Sequence, residues 1–224
     1  MPCPVAWAVT GVANLAANSK PVSAQLIPAS EQLVTQWAGG ETRQLAIAPI
    51  GSSVAARDFH WRFSSATVLQ SGPFTAFDGY QRYLAMRSGA GLELAVTAAG
   101  APQHRMQLKS PQHQAGFAGA ASTAATLLDG PVRDINLMLS AGLQGGLRAL
   151  QLQANQSEVL QTVATGWWLI YADGLSQGEQ IQVQSGAQQF LLAAGDVLIL
   201  PDASCTCIAT GDCAAVAAWI ALMP

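Results

Sequence analysis

Arg62, Ser64, Arg82, Asp134 and Asn136 are the side chains best placed to do chemistry, because each is a polar residue set into an apolar run. Side chains alternate along a strand. In Trp61-Arg62-Phe63-Ser64 the arginine and serine therefore share one face and the aromatics share the other. In Asp134-Ile135-Asn136-Leu137-Met138-Leu139 the acid, the amide and Met138 share a face, and three aliphatics line the reverse. An acid and an amide in the middle of such a strand are costly if buried without partners. Arg62 and Arg82 can pair with Asp134 across a barrel lumen, and a guanidinium fork also grips a carboxylate through two parallel bonds. Two readings stay open: a pocket for a small carboxylate, or a structural salt-bridge network beneath Asp134. Asp134 is the one good candidate for a general base, and arginine neighbours are expected to lower its pKa, which argues against acid–base catalysis.

Other chemistries lack their parts. His60, His104 and His113 share no ligand spacing. Cys205 and Cys207 fall on one strand face near Cys213, but zinc favours four ligands and no histidine is close. The expectation is buried, reduced thiols and no metal. No strained Ser or Cys elbow, phosphate loop or dinucleotide fingerprint is present.

The composition narrows the class. Half of the 224 residues are hydrophobic and only 10% are charged, with a net charge of −3. That supplies a large core and no basic patch, so neither nucleic acid nor an anionic membrane surface is an expected partner. No apolar run reaches the roughly 18 residues of a membrane span. Val5 to Ala17 is apolar, yet the first cation is Lys20, so a secretory signal is not expected and a cytoplasmic location is.

The elements that must position these residues are short apolar runs broken by Gly, Pro and Asp about every ten residues, the spacing of a sandwich or barrel. A short helical turn is expected over 30–36, with Ser30 as its cap. Ser88-Gly89-Ala90-Gly91 looks like a hairpin turn. Residues 100–125, with Pro102 and Pro111, look like loop. A faint internal repeat relates the run from Arg82 to Gly89 to that from Gly166 to Gly174; in each, a strand leads into a glycine turn.

Gly195-Asp196-Val197-Leu198-Ile199-Leu200-Pro201 resembles the second half-motif of the cupin superfamily, without the histidine that metal-binding cupins carry after it. Four further blocks, in order, resemble the HutD/Ves family: Trp37 to Leu45, Phe59 to Ala66, Gly72 to Gly79 followed by Arg82, and Leu128 to Met138. The first block has a shorter glycine loop than the family's, and Ser140 stands where family members often carry Arg. The resemblance spans roughly residues 24 to 222. It implies an all-β chain of two cupin-like (jelly-roll) β-barrels packed as one bicupin unit, with few short helical turns. The expected division is an N-terminal extension (1–20), a first barrel (21–125) and a second barrel (126–224). It also implies a binding or regulatory protein without a cofactor, holding a small carboxylate linked to histidine utilisation. Trp37, Arg62, Ser64, Arg82, Asp134 and Asn136 would form the site, with the Gly39-Gly40 loop at its mouth. A homodimer is compatible with the sequence. The alternative is a metal-free cupin enzyme, an isomerase or epimerase acting on a small acid or sugar.

Overall fold

The structure is a computed structural model, and it describes residues 21, 23–161, 165–201 and 204–223. The expected N-terminal extension lies outside them. Alternating apolar and polar residues produce strands throughout. In chain order the first eleven are β1 (Gln25–Ile27), β2 (Leu33–Trp37), β3 (Gly40–Ala48), β4 (Trp61–Val68), β5 (Gly72–Pro73), β6 (Tyr80–Ser88), β7 (Leu92–Thr97), β8 (His104–Leu108), β9 (Gln114–Ala118), β10 (Ser122–Leu127) and β11 (Val132–Ser140). Then follow β12 (Leu143–Leu152), β13 (Ser157–Leu160), β14 (Gly166–Tyr171), β15 (Ile181–Ser185), β16 (Gln188–Leu192), β17 (Val197–Pro201), β18 (Cys205–Ala209) and β19 (Cys213–Leu222). The one helical element among the described residues is a 3-10 turn, Ala29–Glu31.

These strands form four sheets, ordered β5-β10-β7-β8, β2-β3-β4-β11-β6-β9, β1-β17-β14-β19-β12 and β13-β18-β15-β16. The sheets stack in that order. Leu84, Leu94 and Phe117 belong to the apolar layer between the first and second sheets. Trp61, Phe63, Leu137, Trp167 and Leu169 belong to the central layer between the second and third. Trp168, Ile170, Val183 and Cys207 belong to the layer between the third and fourth. The two inner sheets thus bury both faces, which is why β14 reads Gly-Trp-Trp-Leu-Ile-Tyr with every residue buried. Each half is a pair of packed sheets in the jelly-roll manner.

The halves repeat each other. The order β4-β11-β6-β9 recurs as β12-β19-β14-β17, and β5-β10-β7-β8 recurs as β13-β18-β15-β16. The faint repeat between the runs at 82–89 and 166–174 falls on β6 and β14, which are equivalent strands.

Three expectations need correction. Pairing places β11, beyond the expected boundary near residue 125, in the middle of the first half, and β1 in the second half against β17. Sheet membership changes between β11 and β12, because the two-faced β11 can only be satisfied between β4 and β6. Residues 100–125 hold β8, β9 and most of β10; β9, Gln-Ala-Gly-Phe-Ala, alternates exposed and buried positions but uses residues too small to stand out as a strand. The turn expected over 30–36 shrinks to the 3-10 turn, and Leu33 to Trp37 extends as β2, an edge strand. In addition, Ser88 to Gly91 carries the chain from one sheet to another and closes no hairpin.

An acid absent from the expected site ties the halves together. Asp173, after β14, receives Arg87 Nε from β6 at 2.7 Å and lies 2.8 Å from Arg133 Nη2 of β11. Both Arg87 and Asp173 are buried. Removing one partner of such a pair strands the other charge, at about 3–5 kcal/mol, whereas replacing both by apolar groups is often neutral. Asp173→Ala is therefore expected to lower unfolding stability by about 3 kcal/mol or more in urea titration. The double variant Arg87→Met, Asp173→Leu is expected to recover most of that loss.

Candidate functional site

The inward face of the second sheet carries polar side chains, where its outward face is aliphatic and aromatic. Across β4, β11 and β6, Asn136 stands opposite Ser64, and Met138 stands between Arg62 and Arg82. The two arginines are thus two strand spacings apart, roughly 9.5 Å along the sheet. Between them opens a cavity of about 280 Å³. All six residues expected for the site line it: Trp37, Arg62, Ser64, Arg82, Asp134 and Asn136.

Arg82 is only 7% exposed. Its Nη1 donates to the Thr75 carbonyl at 3.2 Å and its Nη2 to Asn136 Oδ1 at 3.1 Å. The rings of Phe74, Phe77 and Phe117 lie 5.4, 6.0 and 5.2 Å from its guanidinium carbon, within cation–π range. Its buried Nε finds no partner among the described residues. Asn136 Nδ2 in turn donates to Asp134 Oδ1 at 3.3 Å. The relay therefore runs Arg82–Asn136–Asp134, and the ion pairs of the described residues do not include Asp134. The expected direct pairing of Arg62 and Arg82 with Asp134 is corrected accordingly. The register puts Asn136, not the acid, within reach of Arg82.

Arg62 behaves differently. Its Nε donates to Gln44 Oε1 at 3.2 Å. A register shift between Gln44 and Ala46 in the β3–β4 ladder accompanies this contact. No hydrogen bond to Arg62 Nη1 or Nη2, or to the Ser64 hydroxyl, occurs among the described residues. A forked donor pair and a hydroxyl therefore remain free on the cavity wall.

Burial sets the charges. It pulls Arg82 down to about 10, with Asp134 opposing the shift. It pulls Arg62 to about 10 as well, helped by repulsion from Arg82. Both remain charged near neutrality. Asp134, 1% exposed, is pushed up to about 7 by burial, against the pull of Arg82, Asn136 and the Ala66 backbone. The expectation that arginines would lower it is overturned: desolvation outweighs one guanidinium held at second hand through an amide.

The rim is aromatic. Trp37 is 41% exposed and folds across Gly39, where an added Cβ would meet its ring at 2.2 Å. A Cβ on Gly40 would lie 1.9 Å from the Thr67 carbonyl. Of the lining residues, Phe77 packs edge-on to Tyr80, which stacks on Phe59 with ring centroids 4.4 Å apart in a buried cluster outside the lining. Gln44, Phe74, Thr75, Phe77 and Met138 are contributors that the sequence reading did not assign to the site. All five fall inside the quoted family blocks, so their segments were marked even though their roles were not.

Among the described residues of the second half, this arrangement has no counterpart. On β14 the inward face carries Trp168 and Ile170, packed on Val183, Leu198 and Cys207. Cys205, Cys207 and Cys213 are free and buried there. A divalent metal of the kind metal-binding cupins hold would need several carboxylate or imidazole donors. The first-half cavity offers one carboxylate beside two guanidiniums, a donor set that does not fit. Among the described residues no three His, Cys, Asp or Glu side chains gather.

Several solved structures share this architecture. A conserved protein of unknown function from Pseudomonas aeruginosa PAO1 aligns with a TM-score of 0.71 at 23% identity, covering 89% of this chain and 99% of that one. HutD from Pseudomonas fluorescens SBW25 aligns at 0.62 and 22% identity, covering 90% and 100%. An oxalate decarboxylase from Lactobacillus farciminis aligns at 0.65 and 9% identity, covering 89% and 86%, and shares the fold. Among curated proteins, an uncharacterised 21.2 kDa protein in the hutC 3′ region of Pseudomonas putida is 36% identical over 80 residues, 36% of this chain and 40% of that protein. Protein Ves of Citrobacter koseri is 34% identical over 100 residues, 44% of this chain and 48% of that protein. The matched segments span less than half the length of either relative. The HutD family pattern itself matches residues 29–217, the span that holds the whole cavity and nearly all of both jelly rolls, and on that match the chain belongs to the HutD family.

Proposed function

We propose that this chain is a small-molecule-binding or regulatory bicupin that holds a small carboxylate, linked to histidine utilisation, in its first-half cavity. The observation that carries the reading is Arg62: it lines the cavity, its Nε is fixed by Gln44, and neither Nη atom has a hydrogen-bond partner among the described residues. That is the geometry for bidentate carboxylate binding. The cavity volume sits at the low end of small-molecule sites, roughly 300–1,000 Å³, which suits a small acid. HutD from Pseudomonas fluorescens was solved in a formate condition and the oxalate decarboxylase as a formate complex. The histidine link rests on the HutD match and on the relative in the hutC 3′ region. A cytoplasmic location goes with this reading.

Calorimetric titration with formylglutamate, urocanate and glutamate tests it. Arg62→Ala is expected to weaken whichever acid binds by about 1.5–3 kcal/mol, more than tenfold, with the melting temperature little changed. Binding by none of them, together with a large fall in melting temperature for the variant, would return Arg62 to a structural role.

The second reading is a metal-free isomerase or epimerase, and Asp134 is what favours it. A carboxyl held near pH 7 in a dry cavity is suited to general acid–base work. Turnover of a histidine-pathway intermediate by the wild type, abolished in Asp134→Asn, would establish it.

The same shift has a thermodynamic signature. The folded chain keeps a proton on Asp134 up to about pH 7, whereas the unfolded chain releases it near pH 4. Between those values the folded state binds more protons, so stability falls as pH rises through that window and is level outside it. The contribution is on the order of a few kcal/mol. Urea midpoints measured from pH 4 to 8 should show Asp134→Asn gaining on the wild type as pH rises.

A further inference from the structure

Building on the small-carboxylate reading, we propose that the cavity selects a monocarboxylate with a flat, apolar body and discriminates against dicarboxylates. The donor count comes first. Of the two guanidiniums, only Arg62 presents an unengaged Nη pair. Both Nη atoms of Arg82 are engaged, by the Thr75 carbonyl and Asn136 Oδ1, and its flat faces are covered by phenylalanine rings. The wall can therefore receive one carboxylate through a fork, and offers no second fork to another.

Charge balance points the same way. The charged groups around Asp134 in the cavity are Arg62 on β4 and Arg82 on β6. Above about pH 7, where Asp134 is ionised, its charge and that of Arg82 cancel, leaving a single positive charge at Arg62. A monoanion completes this arrangement. A dianion would leave a net negative charge in a dry cavity unless Asp134 took up a proton as the ligand entered, so dicarboxylate binding would be coupled to proton uptake and would weaken with rising pH.

The rest of the wall sets the body of the ligand. Trp37 leans over Gly39 with 41% of its surface exposed, at the rim of the cavity. Val54, Pro73 and Met138 line the space with it and carry no side-chain hydrogen-bonding N or O atom. A flat unsaturated or aromatic group can lie on the indole, where a second carboxylate would give up its hydration for the neutral hydroxyls of Thr35 and Thr42 and would meet no cation.

Matched acids decide the point. The full chain is titrated calorimetrically at pH 8.5, where Asp134 is ionised, with trans-cinnamate and with glutarate, each in two buffers of different ionisation enthalpy. Cinnamate is expected to bind at least tenfold more tightly than glutarate, without net proton uptake. Trp37→Ala is expected to weaken cinnamate severalfold and to leave glutarate unchanged. Glutarate binding as tightly as cinnamate, or a Trp37→Ala variant with full cinnamate affinity, overturns the proposed selectivity while the carboxylate reading stands. If cinnamate, glutarate and formate all fail to bind, the selectivity and the carboxylate reading fall together.

Discussion

The Arg82 guanidinium lies at the bottom of a jelly roll, nearly removed from water, and much of the first half is arranged around it. A guanidinium cannot escape its charge by releasing a proton at physiological pH, so the fold must supply what water no longer does. It does so in two ways. A backbone carbonyl and an amide oxygen accept from the Nη atoms, and three phenylalanines present their rings. The amide is itself held by Asp134, so a full counter-charge is present without direct contact. Keeping the acid two residues further along the strand, at the next position on the same face, has a consequence for its own titration. A direct ion pair would hold the carboxyl ionised, whereas an amide-relayed one lets burial push it up toward neutrality.

Much of this was legible in the sequence, and the reason is alternation. Arg62 against Trp61 and Phe63, and Asp134 and Asn136 against Ile135 and Leu137, are two-faced strands whose polar sides had to meet something other than a hydrocarbon core. The inward face of the second sheet gathers the five residues read from that pattern, and Trp37, assigned through the family resemblance, stands at the rim. What was hidden involves side chains whose neighbours are set by register and not by local sequence. Gln44 meets Arg62 across a ladder that slips between Gln44 and Ala46. Asp173 reads as part of an Asp-Gly turn, yet it is the buried partner of Arg87 and Arg133 from the other half. The direction of the Asp134 shift was misjudged for the same reason: sequence shows that arginines are present, but not that an amide stands between.

The small residues of β9 and β10 misled in another way. Gln-Ala-Gly-Phe-Ala and Ser-Thr-Ala-Ala-Thr-Leu lack the β-branched and aromatic density that marks a strand, and they follow two prolines. They are strands because neighbours are already in place. β9 adds to β6 with Phe117 beside Arg82, and β10 adds to β7. Their form is imposed by the sheet they complete, a case of context overriding propensity.

The duplicated topology shows what the polar face does. Both halves use the same strand order, and in both one inner sheet backs onto the shared central core. In the second half the inward positions of β14 hold Trp168 and Ile170, and the interior is filled by side chains, as small jelly rolls ordinarily are. In the first half Arg82 stands on the equivalent strand, and a cavity opens where hydrocarbon would otherwise close it. A charged residue held by its own shell cannot collapse into the gap as a leucine would, so space persists beside it. The filled half then contributes in another way. Its third sheet packs against the back of the polar sheet through Trp61, Phe63, Trp167 and Leu169, and the Asp173 cluster ties the edge of that contact. The strands bearing Arg62, Asp134 and Asn136 are thereby braced from behind, which is what a cavity wall needs if its donors are to hold their positions before any ligand arrives.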